Sequence, residues 1–150
     1  MRRMRVDVVN SVVINRPVAA VAQYAADPDN VPLWYENIKS VEWQTPRPVQ
    51  VGSQIDFVAH FLGRRLAYTY VVVEFVPDRR LTMRTPGAPF PMETTYTWEN
   101  ENGATRMTLR NRGTPSGFSA WFAPLMSLMV GRANRKDLAL LKRRLEENLS

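Results

Sequence analysis

The sequence predicts an α+β fold: one domain over residues 1–150, in which an antiparallel sheet packs on a long C-terminal helix. Three observations carry this reading. Six segments between Ser40 and Gly113 alternate apolar and polar residues and are separated by short turn signals, the pattern of successive hairpins. Two short helical segments, each with a proline in its first turn, follow the first strand. Finally, more than thirty residues from Ser116 to Asn148 read as helix, apolar at the start and highly charged toward the end.

The elements follow in order. "RVDVVNSVVIN" alternates as a strand that places Val6, Val8, Val12 and Ile14 on one side. Asn15 is the expected cap of the helix "VAAVAQYAA", with Pro17 in its first turn and "DPDN" stopping it. A second short helix, "VPLWYENI", begins at Asn30. "SVEWQT" is a short strand, broken by "PRPVQVG". "SQIDFVAHFLG" sets Ile55, Phe57, Ala59 and Phe61 against Gln54, Asp56, Val58 and His60. After Gly63, "RRLAYTYVVVEFVP" returns with Leu66, Tyr68, Tyr70 and Val72 on one face. "LTMRT" and "METTYTWEN" flank the proline-rich "PGAPFP", which cannot continue a ladder. Asn102-Gly103 is a strong hairpin signal, and "TRMTLRNRG" is the last strand.

Composition narrows the function classes. The chain has no cysteine, which excludes a disulfide framework, a thiolate nucleophile and thiolate-bound metal. It also fits a reducing compartment, so the expected location is cytoplasmic. The basic N-terminus lacks the continuous apolar run of a signal peptide, and no stretch approaches the roughly 20 residues of a membrane span. A net charge of +6 raises nucleic acid or an anionic membrane as partners. The arginines are scattered rather than gathered in one stripe, so a solvated basic surface is the simpler reading and nucleic acid is not expected.

"WFAPLMSLMV", residues 121–130, has almost no polar face, whereas a one-sided amphipathic helix needs an apolar residue only every third or fourth position. It must be covered on more than one side. Trp121, Phe122, Leu125, Met126 and Met129 are expected to roof an interior between helix and sheet, and Leu138, Leu141 and Leu145 to form a narrower core stripe further along. Pro124 kinks this helix or starts its main body.

Several segments, in order, resemble the START-like, polyketide cyclase/dehydrase and lipid-transport superfamily (SRPBCC). "INRPVAAVAQYAADPDNVPLW" is similar to its opening, through Asp27-Pro28 and Trp34. "VQVGSQIDF" is similar to a strand start, and "YVVVEFVPDRRL" to V-x-E-x-x-P-x-R-L through Val72, Glu74, Pro77, Arg79 and Leu81. "TYTWENENGATRMTL" is similar to its aromatic strand and glycine turn, through Trp98, Gly103 and Thr105. The resemblance implies the helix-grip architecture: a curved seven-stranded antiparallel sheet, two small helices and a long helix over a ligand cavity. It also makes the "PGAPFP" loop, Pro86 to Pro91, either a gate or a rigid connector. Chemistry is less constrained, because one fold hosts many activities.

His60 is the only histidine, so no two-histidine metal site exists, and alternation places it outside. Asp7, Asp56, Glu93 and Glu99 also fall on outer faces. Glu74 shares the inward face by alternation from Tyr70 and Val72, near the rim, where Arg79 and Arg80 are available partners. No nucleophile elbow, phosphate loop or dinucleotide fingerprint is present. No catalytic residue, metal or cofactor is assigned.

The expected ligand site is an aromatic and thioether interior: Phe57, Phe61, Tyr68, Tyr70, Met83, Met92, Tyr96, Trp121 and Met126. Trp34, Trp43 and Trp98 read as plain core. Buried tyrosine hydroxyls need partners, and three pointing inward suit a polar ligand head or water. The leading expectation is a binder of a small hydrophobic or aromatic, lipid- or polyketide-like molecule. The alternatives are a polyketide aromatase/cyclase or dehydratase, and a peripheral membrane lipid-transfer protein docking through residues 121–130 on an anionic surface.

Overall fold

The computed structural model describes residues 6–61, 63–86, 91–114 and 123–147. Its elements are β1 (Val6–Ile14), α1 (Val18–Ala26), a 3-10 turn (Pro28–Asn30), α2 (Val31–Trp34), β2 (Ile38–Trp43), β3 (Gln54–Phe61), β4 (Arg64–Val76), β5 (Arg80–Arg84), β6 (Met92–Glu101), β7 (Ala104–Gly113) and α3 (Ala123–Glu147). The seven strands form one antiparallel sheet in the order β1-β7-β6-β5-β4-β3-β2. This is the helix-grip arrangement: a curved sheet wrapped on α3, with two short helices after the first strand.

Local chemistry sets most of the boundaries. Asn102 and Gly103 both have positive φ, 55° and 87°, as a two-residue hairpin turn requires to match the twist of its strands. Asp78 (φ 64°) and Gly63 (φ 74°) do the same work at the β4–β5 and β3–β4 turns. The carboxylate of Asp27 accepts the Asp29 N–H at 3.0 Å, which ends α1 and turns the chain into α2. Asn15 is not the cap of α1. Pro17 occupies that position, and the Asn15 N–H donates instead to the Glu146 carboxylate at the far end of α3 (2.8 Å).

The core follows the alternation. Ile14, Ile55, Val72, Leu81, Met107 and Leu109 are fully buried on the concave face of the sheet, and Leu138, Leu141 and Leu145 meet them from α3. Trp34 and Trp98 are core residues as expected, 0% and 2% exposed, whereas Trp43 is half-buried.

Glu74 departs from expectation. The β4–β5 register shifts between Val72 and Glu74, leaving Val73 without a partner of its own. This bulge reverses the alternation: Val72 and Phe75 oppose Met83 and Leu81, and Glu74 opposes Thr82 on the outer face. There it pairs with Arg80 at 2.7 Å. A one-residue insertion turns every later side chain over, and alternation counted from Tyr70 cannot see it.

Candidate functional site

Between the concave face and α3 lies a cavity of about 800 Å³, large enough for a small organic molecule. Strand pleating aims alternate residues of β3, β4, β5 and β6 into it, so Phe57, Tyr68, Tyr70, Met83, Met92 and Tyr96 all line it. The aromatic rings interlock. Tyr68 stands edge-on to Tyr70 with centroids 5.4 Å apart, and Phe57 packs 5.9 Å from each.

The remaining expected site residues lie elsewhere. Trp121 and most of the "PGAPFP" loop are outside the described residues, and so is the Phe61 side chain. Pro86, at the start of that loop, lines the cavity. The described part of α3 contributes Val130, Ala133 and Asn134 to the lining, while Met126, one turn earlier, is half-buried. Leu125 faces out rather than roofing the interior: it is 52% exposed, and Leu128 is 59% exposed. The helix turns these two residues away from the sheet, so that side of the apolar stretch is open among the described residues.

Strand reading named the inward tyrosines but missed their partners Thr94, Asn111 and Asn134, because these come from separate elements and meet only in the folded chain. The Tyr70 hydroxyl donates to Thr94 Oγ1 (2.8 Å), and Thr94 Oγ1 donates to Asn111 Oδ1 (2.6 Å). Asn111 Nδ2 donates in turn to Asn134 Oδ1 on α3 (3.0 Å). The chain stops there: Asn134 Nδ2 is buried without a partner among the described residues. Tyr35 and Tyr96 share a second hydrogen bond of 2.8 Å between their hydroxyls. Burial is the main cause that raises the pKa of Tyr35, Tyr68, Tyr70 and Tyr96, with a partial offset at Tyr70 from its bond to Thr94. These phenols therefore stay protonated and act as hydrogen-bonding groups, not as phenolate bases.

Asp137 was also missed. It sits one turn beyond Asn134, is 3% exposed, and accepts the Glu36 N–H at 3.1 Å. Burial pushes its pKa up to about 7, against a smaller lowering from that hydrogen bond. A polar residue in the most charged part of the chain gives no signal in sequence; only the close approach of α2 and α3 buries it. His60 is exposed, as alternation implies.

The convex face has a different character. Glu93, 4% exposed, is held by Arg84 at 2.5 Å and by Arg112 across the neighbouring strand. Burial raises its pKa, but the bonds from Arg112 and Arg84 outweigh that and leave it lowered. Arg110 grips Asp7 through two bonds of 2.7 and 2.8 Å, and Arg106 does the same for Glu101. Scattered in sequence, these arginines lie on one surface, each opposite a carboxylate. A smaller recess of about 470 Å³ beside α1 is closed around its own groups: Arg47 pairs with Asp29 and lies over the Trp43 ring, whose Nε1 donates to the same carboxylate.

Among the described residues, no group of three or more histidines and carboxylates is placed to hold a metal ion, and no helix is long and apolar enough to cross a membrane.

A sheet gripping one helix over a largely apolar cavity defines the class of START-like, helix-grip proteins. The chain belongs to the family described as polyketide cyclase / dehydrase and lipid transport, whose model matches residues 5–146. No curated protein matches the sequence. Solved structures share the fold at low identity. TTHA0849 from Thermus thermophilus has a TM-score of 0.82 at 18% identity, covering 96% of this chain and 99% of its own. A START superfamily protein from Mycobacterium smegmatis has a TM-score of 0.77 at 14% identity, with 94% and 97% covered. The di-domain ARO/CYC BexL from the BE-7585A biosynthetic pathway has a TM-score of 0.75 at 18% identity; 97% of this chain covers 47% of that one.

Proposed function

We propose that this protein binds a small hydrophobic or aromatic molecule, lipid-like or polyketide-like, in the cavity between the sheet and α3. The observation that carries the reading is the cavity itself, about 800 Å³ and walled by Phe57, Tyr68, Tyr70, Met83 and Tyr96. Apolar burial supplies the affinity, roughly 25 cal/mol per Å² before ordering costs. Native mass spectrometry of the protein as purified tests it, with denaturing spectra for comparison. A discrete adduct lost on denaturation supports the reading. A clean apo mass, together with no uptake of planar aromatic probes, overturns it.

A second reading, an aromatase/cyclase or dehydratase acting on a polyketide-like chain, is favoured by Asp137. Glu74 cannot serve, since it points away from the cavity. Asp137 does not line the cavity itself but lies one turn past Asn134, which does, and a buried carboxyl with a pKa near 7 suits a general acid or base at neutral pH. As the acid it is competent below about 7, so turnover that depends on it falls as pH rises through that value. Turnover with an unchanged profile in Asp137→Asn removes this reading.

Delivery at a membrane is the third, and rests on the exposed Leu125 and Leu128 with the exposed Arg132, Arg135 and Lys136 further along α3. Failure to sediment with anionic vesicles at low salt removes it.

A further inference from the structure

Four tyrosines line the cavity, and three of them have their hydroxyls bonded within the protein: Tyr70 to Thr94, and Tyr35 and Tyr96 to each other. Tyr68 differs. Among the described residues its hydroxyl meets no protein partner, while its ring is fixed by Phe57 on one side and Tyr70 on the other. Tyr68 is half-buried and its hydroxyl is not sealed in the core, so a molecule that fills the cavity and displaces its water meets there a donor not committed to the chain.

We propose that the Tyr68 hydroxyl is the polar anchor of the cavity, donating a hydrogen bond to an oxygen acceptor, such as a ketone carbonyl, on an otherwise apolar or aromatic ligand. This deepens the binding reading above and rests on it. Three features fit. Tyr68 stays protonated, so it offers a donor at any ordinary pH. Its ring is held edge-on against Tyr70, so the hydroxyl keeps a fixed direction and binding orders little. The neighbouring hydroxyl of Tyr70 is committed to the chain through Thr94 and Asn111, which leaves that side of the wall one unspent phenol. A cavity so arranged discriminates between ligands of one shape by a single oxygen, because the analogue that lacks it leaves the donor unpaired.

The test uses two planar tricycles of matched shape, 9-fluorenone and fluorene, titrated by quenching of the protein's tryptophan fluorescence. Wild type, Tyr68→Phe and Tyr24→Phe are compared by their ketone-to-hydrocarbon affinity ratio, which cancels the probes' different solubilities; Tyr24 is a half-buried phenol that does not line the cavity. The expected result is a ratio about tenfold lower in Tyr68→Phe than in wild type, the loss falling on the ketone. Tyr24→Phe keeps the wild-type ratio. An unchanged ratio in Tyr68→Phe, or an equal fall in Tyr24→Phe, overturns the anchor while leaving the binding reading intact. If neither probe binds wild type, the binding reading fails and the anchor falls with it. Tyr68→Phe removes one oxygen from a half-buried ring, and an unchanged thermal midpoint confirms that the comparison is made on a folded protein.

Discussion

The two faces of this sheet are built from the same strands and treat polar groups in opposite ways. On β6, Thr94 faces the cavity and Glu93, the residue before it, faces out; on β7, Asn111 and Arg112 divide in the same manner. Inside, the polar groups are neutral and pass one hydrogen bond along a line from Tyr70 to Asn134. Outside they are ionised and paired across neighbouring strands. The difference follows from solvent. A charge in an apolar interior loses its hydration and recovers it only with a well-placed partner, whereas hydroxyls and amides are satisfied by each other. Water screens the convex pairs that are exposed on both sides, such as Asp7 with Arg110, and makes each worth little alone, whereas the buried Glu93 depends on its two arginines. Asp137 breaks the pattern, as an ionisable group on the buried side.

Removing that exception gives the largest expected effect. Burial holds the Asp137 pKa at about 7, above its ordinary value of 3.8, so the folded state favours the protonated form. Stability is therefore highest at low pH as far as this group is concerned, and is lost as pH rises from about 4 through 7. Asp137→Asn removes that loss and stabilises the protein at pH 8 by on the order of 3 kcal/mol relative to its effect at pH 4. Urea unfolding at the two pH values measures it; equal effects at both show that the carboxyl is not desolvated.

Breaking the interior line should matter next. Thr94→Val leaves Tyr70 and Asn111 without their shared partner in a buried site, at about 2 kcal/mol of stability. A change under half of that, read from thermal or urea midpoints, means water replaces the threonine. On the other face, Glu93→Gln leaves Arg84 and Arg112 without their carboxylate, but Arg84 is well exposed and can turn to water, so about 1 kcal/mol is expected. Because the Glu93 pKa is lowered, its contribution is present above the ordinary carboxylate range and disappears as pH falls through it, the opposite sign to Asp137. The smallest effect belongs to Asp7→Asn: its pair with Arg110 is exposed on both sides, and about 0–0.5 kcal/mol is expected, shrinking further in high salt. A loss comparable to that of Thr94→Val would erase the contrast between the faces.

Much of this molecule was readable from local rules. Period-two alternation placed Ile55, Phe57 and Ala59 inside and His60 outside, since each side chain of a strand answers only to its own pleat. Asn102-Gly103 announced its hairpin because few other residue pairs adopt positive φ twice in succession. The leucine stripe of α3 followed from helical spacing, and strand alternation put six of the proposed ligand-site residues on the face that lines the cavity. Whether those six contact a ligand is what the fluorenone titration asks.

Other features exist only between elements. The bulge at Val73 turned Glu74 to the outside, and no residue type at that position signals it. The line from Tyr70 through Thr94 and Asn111 to Asn134 joins β4, β6, β7 and α3, and Asp137 is buried only because Glu36 after α2 closes on it. Leu125 turned outward although its neighbours in sequence are just as apolar, because helix rotation is set by the whole contact of α3 with the sheet. Sequence periodicity determined which faces are apolar, because that is a local property of a strand or helix. Tertiary structure decided which polar groups meet, are left unpaired or change their pKa, because hydrogen bonds and desolvation depend on distances that no single element contains.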